Sequence, residues 1–169
     1  MLLTLLRTVV ARTLSSCAST KKTEVEPVST DDALLVGRLI LDVRHSSVNG
    51  KHRKDIKLVV IDMDSHEDFT LYTDKDGLFF MPAVPGHNYR LFSLFYERPN
   101  GDGSWVSENL FYDLDQEIKP GAVNIVCDML VEMDYENSFF STEEDKYNEI
   151  KAAFERNYSG SKWLKYQMN

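Results

Sequence analysis

The fold of this chain is decided by one stretch, Leu71-Tyr-Thr-Asp-Lys-Asp-Gly-Leu-Phe-Phe-Met-Pro-Ala-Val-Pro-Gly-His-Asn-Tyr-Arg-Leu91. It predicts three short strands separated by two tight turns, with the first strand ending at Thr73 and the third opening at Tyr89. Aspartate side chains bond the backbone of their own turn, and glycine adopts positive φ without a Cβ penalty, so Asp74-Lys-Asp-Gly77 and Pro85-Gly86 are turn sequences. We therefore expect a β-meander.

Apolar and β-branched runs on both sides of this stretch predict further strands, at residues 34–43, 56–63, 69–73, 105–112 and 121–133. Residues 46–54 are hydrophilic and are predicted to form a loop. The strand over residues 89–96 has apolar groups on both faces, so we expect it to be buried on both sides, with the C-terminal helix over its outer face. About seven short strands with regular turns predict a β-sandwich.

The periodicity changes near the C-terminus. Ser141 with Glu144 three positions later is a capping-box pattern, which predicts a helix start. Apolar residues then recur at helical spacing, which predicts one amphipathic α-helix of about four turns ending near residues 157–160. Its apolar face is expected to pack on the sheets, and Trp163 in the tail is expected to be buried. The apolar residues on this predicted helix face are Tyr147, Ile150, Phe154 and Tyr158.

The turn sequences resemble those of the carboxypeptidase regulatory-like domains, which are transthyretin-like (prealbumin-like) β-sandwiches. The resemblance covers roughly residues 34–132. Within its first strand, Val36-Gly-Arg-Leu39 resembles the V-x-G-x-V start of such domains. It departs from the family at residues 46–55, where many members carry a Gly-x-Pro-Leu-x-Gly-Ala loop. The resemblance implies a non-catalytic module, because these domains share no active site. The residues that carry it as a structural turn motif are Thr73, Asp74, Gly77, Phe79, Pro85, Gly86 and Tyr89.

Composition sets limits on function. The chain has 169 residues, of which 43 % are hydrophobic and 27 % charged, as in soluble globular proteins. Its formal net charge of −8 argues against a nucleic-acid partner, which would require a basic surface to displace counterions from phosphates.

Residues 1–23 contain no acidic side chain and are rich in Leu, Val, Thr and Ser, which is typical of a targeting segment. Leu14-Ser-Ser-Cys17 resembles a bacterial lipobox, which predicts a signal peptide over residues 1–16 and a lipid such as palmitate on Cys17. The polar residues 17–32 then form a flexible tether. The β-sandwich is assigned to 33–134, and the helix and tail to 135–169. A mitochondrial transit peptide and an ordinary unlipidated leader are alternatives.

Residues that support a particular chemistry are few. Asp74-Lys-Asp-Gly77 resembles part of a calcium loop but lacks the later ligands, and the acidic run Asp62–Asp68 is a hairpin tip or a weak cation site. Cys127 is predicted to be a buried, inert thiol on the same face as Val123 and Ile125. The histidines lack the spacing of a zinc site. We therefore assign no catalytic residue, metal ligand or cofactor.

Three functional hypotheses follow. The first is a lipid-anchored cell-envelope protein of the outer membrane or cell surface, whose non-catalytic β-sandwich is a structural or interaction module for a protein partner. The second is a carbohydrate- or small-ligand-binding module that stacks sugars on Tyr96, Trp105 and Trp163 beside the loop at 100–103, and it requires at least two of these rings to be exposed. The third is an organelle-targeted β-sandwich. The basic patch Lys51–Lys54 is a solvated loop or a contact for an acidic polymer or lipid headgroup.

The lipid-anchor hypothesis makes a direct prediction. Replacing Cys17 by Ser removes the thiol that takes the lipid, so we expect the protein to move from the membrane fraction to the soluble fraction. Fractionation and intact mass of the native protein measure this change. Unchanged partitioning of the variant would contradict the hypothesis.

Overall fold

The computed structural model describes residues 26–27, 29–44, 47–99, 103–134, 138–142 and 147–169, and the side chains of Phe140 and Thr142 are not among them. Cys17, residues 1–25, His45, Glu144 and residues 100–102 lie outside these ranges, so the predictions for them stay predictions. The described chain is mainly β, with two sheets and one α-helix. Neither of its helices is long and apolar enough to cross a membrane.

The described ranges contain ten strands, more than the seven expected, because three short strands of two to five residues supplement the long ones. The α-helix α1 covers Tyr147–Asn157, and a 3₁₀ helix covers Lys162–Lys165. The strands are β1 (Ala33–Val43), β2 (Gly50–His52), β3 (Lys57–Asp62), β4 (Asp68–Tyr72), β5 (Leu78–Ala83), β6 (Tyr89–Glu97), β7 (Trp105–Leu114), β8 (Ala122–Met133), β9 (Ser138–Thr142) and β10 (Gln167–Met168).

The larger sheet is built around a parallel pair, β1 and β8. β5 and β2 pair with successive parts of β1, while β10 and β9 pair with successive parts of β8. The smaller sheet is antiparallel, in the order β4-β3-β6-β7. β1 and β8 are therefore the central strands of the larger sheet, and each of its other strands pairs with one of them.

Two apolar clusters fill the molecule. The first takes buried residues from both sheets, among them Leu39 and Phe79 from the larger sheet and Leu58 and Leu91 from the smaller one. The second lies between the larger sheet and the C-terminal segment, where α1 and Trp163 are buried. The predicted apolar face of the helix is confirmed, because Ile150, Phe154 and Tyr158 all belong to this second cluster.

The predicted β-meander is wrong. β4 and β6 belong to the smaller sheet, whereas β5 between them pairs with β1 in the larger sheet. The two turns of the deciding stretch therefore carry the chain from one sheet to the other and back. Both turns form as predicted, but local turn chemistry does not specify which strand the next segment pairs with.

The predicted common face of Val123, Ile125 and Cys127 is also wrong. Val36 pairs with Ile125 but the next residue of β1, Gly37, pairs with Cys127, so Val126 is an extra residue in β8. Because side chains alternate along a strand, one extra residue reverses the faces that follow. Val123 and Ile125 face the helix, while Cys127 lies in the cluster between the sheets.

A comparable irregularity changes β6. Leu91 and Ser93 pair with adjacent residues of β3, which leaves Phe92 as an extra residue. Leu94 and Tyr96 are consequently buried on the same side as Tyr89 and Leu91, so side chains do not alternate regularly along residues 89–96. The helix does not cover this strand, because α1 packs on β8 and β5 of the larger sheet.

Two boundaries also differ from the predictions. Ser141, predicted as a helix cap, lies in β9, where it pairs with Leu130, and α1 begins only at Tyr147. The predicted loop at 46–54 contains β2, since His52 pairs with Leu41 in β1. In both cases pairing to a central strand of the larger sheet overrides the local sequence preference.

The first turn of the deciding stretch, from Asp74 to Gly77, requires glycine at its last position. The Gly77 N–H donates to the Asp74 carbonyl at 3.0 Å, and Gly77 has φ of +85°. Its own carbonyl accepts from the Leu39 N–H at 2.9 Å, which joins the turn to β1. A Cβ at this position would lie 2.5 Å from the Leu39 carbonyl oxygen. Gly77 is therefore needed both for its conformation and for its contact with β1.

Alanine substitutions at two glycines separate these causes. Gly77 and Gly86 have similar φ, +85° and +80°, but a Cβ at Gly86 has no atom within 4 Å. Both variants carry the left-handed strain of about 1–2 kcal/mol, and Gly77→Ala adds a steric penalty of about 1–3 kcal/mol. Urea denaturation measures the free energy of unfolding of each variant. Equal losses would contradict the assigned contact with Leu39.

Candidate functional site

The carboxylates of Asp74 and Asp76, in the first turn of the deciding stretch, bind the end of the C-terminal helix. One oxygen of Asp74 accepts from the N–H groups of Asp76 and Leu78 at 2.9 and 3.0 Å. The other accepts from Asn157 Nδ2 at 2.9 Å and the Tyr158 hydroxyl at 3.0 Å. Asp76 Oδ2 also accepts from Asn157, at 2.8 Å. The part of a calcium loop seen in the sequence is therefore a docking site for α1.

Asp62, Asp64 and His87 form an acidic cluster where β3 ends and β6 begins. Their potential ligand atoms lie within 4.8 Å of one another. His87 Nδ1 lies 2.7 Å from Asp62 Oδ2, and Asp62 Oδ1 accepts from the Asp64 and Ser65 N–H groups at 2.9 and 3.1 Å. The histidine of this cluster is His87, which is distant in sequence, and not His66 of the acidic run.

The pKa shifts in this cluster are those of a structural ion pair between Asp62 and His87. Burial raises the pKa of the Asp62 carboxyl, but hydrogen bonds from His87 and from two backbone N–H groups outweigh burial and hold this pKa at about 2. The hydrogen bond to Asp62 raises the pKa of His87. Asp64 Oδ2 accepts from the Asn88 N–H at 2.7 Å. Both carboxylates thus tie the β3–β4 turn to the segment before β6, and this role accounts for the cluster without a metal ion.

A basic cleft lies at the opposite end of β3. Its volume is about 560 Å³. Four cationic side chains line it, and Asp55 is the one acidic residue among the described residues that do so. Lys54 pairs with Asp55 at 3.3 Å. The lining residues are Lys51, His52, Arg53, Lys54, Asp55, Lys75, Tyr96 and Pro99.

The cleft forms where the chain passes from the larger sheet to the smaller one, between β2 and β3. Asp55 has φ of +61°, a left-handed conformation that aspartate tolerates better than most residues. The Asp55 N–H donates to the Thr73 carbonyl at 3.0 Å, and the Ile56 N–H donates to Thr73 Oγ1 at 3.0 Å. Thr73, a residue of the predicted turn motif, therefore fixes one wall, and Lys75 from the same turn lines the cleft.

An aromatic pair holds His52 in place. The His52 and Tyr96 rings stack with centroids 4.2 Å apart and an interplanar angle of 26°. His52 Nε2 lies 2.6 Å from the Val48 carbonyl oxygen, so this nitrogen is the donor. Burial raises the pKa of Tyr96, and nearby Asp55 adds to the effect while Arg98 opposes it. His52 therefore presents a fixed ring beside the exposed lysine side chains of the cleft.

The remaining residues of the predicted turn motif are structural. The His87 N–H donates to the Val84 carbonyl at 3.2 Å around Pro85 and Gly86, as in a type II turn. The buried Tyr89 accepts from the Val84 N–H at 2.8 Å. Phe79 is fully buried and packs over Gly37.

The aromatic platform proposed for carbohydrate is wrong. Tyr96 and Trp163 are 5 % and 2 % exposed, so Trp105, at 57 %, is the one exposed ring of the three. Trp105 stacks on Phe95 instead, with centroids 5.9 Å apart. Trp163 is buried against the larger sheet, as predicted for packing.

Cys127 is buried, as predicted. Burial raises the pKa of its thiol to about 12, with a contribution from Asp128, so the thiol stays protonated at neutral pH.

The sequence pattern indicated the cleft residues Lys51–Lys54 but not Lys75, and it assigned Tyr96 to a sugar-stacking platform and not to this cleft. It also did not predict the pairing of His87 with Asp62. Lys75 and Tyr96 are both far from the basic patch in the sequence. No periodicity marks these positions, because tertiary pairing brings them together.

The His87–Asp62 pair predicts a pH-dependent stability. Because its folded pKa is raised, His87 stabilises the fold fully below its ordinary pKa of 6.5, and this contribution is lost as the pH rises through the raised value. Asp62 loses its contribution as the pH falls towards about 2. We expect the difference in unfolding free energy between wild type and His87→Gln to be largest near pH 4–6.

Urea denaturation at steps from pH 3 to pH 9 measures this difference. His66→Asn is the control, because His66 is an exposed histidine of the same end of the molecule. A difference for His87→Gln that does not change with pH would contradict the pair.

Comparison of the sequence with models of known protein families and with curated proteins finds no match.

Proposed function

We propose that this protein is a non-catalytic β-sandwich module, anchored to a bacterial envelope membrane through a lipid on Cys17, that binds an acidic partner in its basic cleft. The cleft is the observation that carries this proposal. On a chain with a formal net charge of −8, four cationic side chains line one concavity, and Asp55 carries the single carboxylate among its described lining residues. Such a local excess of positive charge attracts anions despite the net charge of the protein.

Support for the β-sandwich comes from the cluster that takes buried residues from both sheets. The transthyretin-like assignment is supported by the roles of the turn motif, since Asp74, Gly77 and Gly86 form the turns that the resemblance implies. The non-catalytic assignment is supported by the carboxylates with lowered pKa values. Asp62, Asp76 and Asp113 are each bound to a structural partner, namely His87, the end of α1 and Arg90.

The anchor fits the length of the N-terminal segment. Glu26 accepts from the Lys162 N–H at 2.9 Å and the Ser29 carbonyl accepts from the Tyr166 hydroxyl at 2.8 Å, so the folded part includes residues from Glu26 onward. About nine residues then lead from Cys17 to the folded part, and an extended chain of this length reaches roughly 30 Å. A tether of this reach lets the folded part contact a partner away from the bilayer surface. The protein partner expected from the sequence would then be one that presents acidic groups.

Charge reversal in the cleft tests the proposed function. We expect the double variant Lys51→Glu, Arg53→Glu to lose about tenfold or more in affinity for heparin, a polyanion, because two cationic contacts become repulsive. Salt-dependent retention and titration of the full chain measure the loss.

The matched control is Lys119→Glu, Lys165→Glu, which changes the net charge equally at exposed lysines outside the cleft. Its affinity should fall much less. Equal losses in the two double variants, or no binding by the wild type, would contradict a function for the cleft.

A further inference from the structure

We infer that the basic cleft is a site for phosphate groups. This inference rests on the proposed function, in which the cleft is the binding surface, and it names the chemistry of the ligand. Three features of the cleft support phosphate over carboxylate: its excess of positive charge, the origin of its donors in separate segments of the chain, and its volume.

The charge of the cleft suits an anion of high charge density. The lining includes Lys51, Arg53, Lys54 and Lys75, and Asp55 is already paired with Lys54 at 3.3 Å. A single carboxylate carries one negative charge and would leave most of this positive charge uncompensated. A phosphate monoester carries up to two charges on one group, so it matches the cleft more closely than a single carboxylate does.

The donors come from separate segments of the chain. Lys51 lies on β2, Arg53 and Lys54 lie on the crossing to β3, and Lys75 lies in the turn after β4. Donors on separate walls approach a ligand from different directions. Tetrahedral phosphate offers oxygens in several directions, whereas a carboxylate offers two in one plane, and the guanidinium of Arg53 can bind two phosphate oxygens at once.

The size and walls of the cleft leave room beyond the phosphate itself. A volume of about 560 Å³ falls in the range typical of sites for small organic ligands. The His52 ring, fixed by Tyr96 and the Val48 carbonyl, forms one wall. The cleft thus accepts a phosphate group together with the organic or polymeric group that carries it. A phosphate polymer and the headgroup of an anionic phospholipid share this chemistry.

Two polymers of equal charge sign separate phosphate from general anion binding. We expect the full chain to bind linear inorganic polyphosphate at least about tenfold more tightly than polyglutamate of matched length, measured by calorimetric titration at constant salt. Lys51→Glu, Arg53→Glu should reduce polyphosphate binding at least about tenfold, and so should Lys75→Glu combined with Arg53→Glu, which alters a second segment. Lys119→Glu, Lys165→Glu should stay within about threefold of wild type.

Equal affinity for both polymers, with both weakened by the cleft variants, would overturn the phosphate inference and leave the proposed function intact. Failure of polyphosphate to bind the wild type would overturn the phosphate inference, and failure of polyphosphate, polyglutamate and heparin alike would overturn the proposed function as well. Circular dichroism verifies that each variant is folded, and the exposed positions of Lys51, Arg53 and Lys75 make them suited to substitution.

A vesicle experiment identifies the source of the phosphate. Phosphatidylcholine vesicles containing phosphatidylglycerol are compared with vesicles of equal charge that contain oleate. Cleft-dependent binding to the first alone supports a lipid headgroup, and binding to polyphosphate without vesicle binding supports a soluble phosphate polymer. Equal cleft-dependent binding to both vesicles would count against phosphate recognition.

Discussion

The carboxylate of Asp74 is the contact on which the arrangement of this protein depends. One of its oxygens closes the turn between β4 and β5 through the Asp76 and Leu78 N–H groups, and the other accepts from Asn157 and Tyr158 at the end of α1. The same turn delivers the Gly77 carbonyl to β1. A single side chain thus connects the crossing between the sheets with the position of the helix.

Apolar burial supplies most of the stabilisation around this contact, and polar pairs select the arrangement. α1 buries Ile150, Ala153 and Phe154 against the larger sheet. Arg38 on that sheet binds the carboxylate of Asp128 through two nitrogens and also reaches Glu149 of α1 at 3.2 Å. The bidentate pair joins β1 to β8 and has one good geometry, so it orients the Arg38 guanidinium, which then meets Glu149 on α1.

These constraints also place the residues of the basic cleft. The turn that uses Asp74 and Asp76 to hold α1 has Lys75 between them, and Lys75 lines the basic cleft. Thr73, the residue before Asp74, accepts a hydrogen bond from the Asp55 N–H and so holds the chain segment that carries Asp55. At the other end of β3, Asp62 and His87 neutralise each other's charge within a loop pair. The two ends of β3 therefore differ in charge: Asp62 and His87 are paired at one end, whereas the proposed binding surface at the other end carries an excess of positive charge.

The sequence predicted those parts of the fold that depend on local chemistry. Both turns, most long strands, and the apolar face of α1 follow from side chains close to one another in the chain. Partner strands did not follow, because β5 pairs with β1 across some forty residues and Val126 reverses the faces of β8. The sequence predicted a basic patch at Lys51–Lys54, which forms part of the cleft. Lys75 and Tyr96 come next to this patch only through the pairing of distant strands. The leader remains a matter of sequence pattern alone.

Hydrogen–deuterium exchange of Asp74→Ala compared with wild type is the most direct test of this account. The account predicts faster exchange in three places that are distant in sequence: the turn and β5, the Leu39 amide on β1, and the C-terminal turn of α1. Faster exchange confined to residues 74–78, with α1 and β1 protected as in the wild type, would contradict the central role of the Asp74 carboxylate.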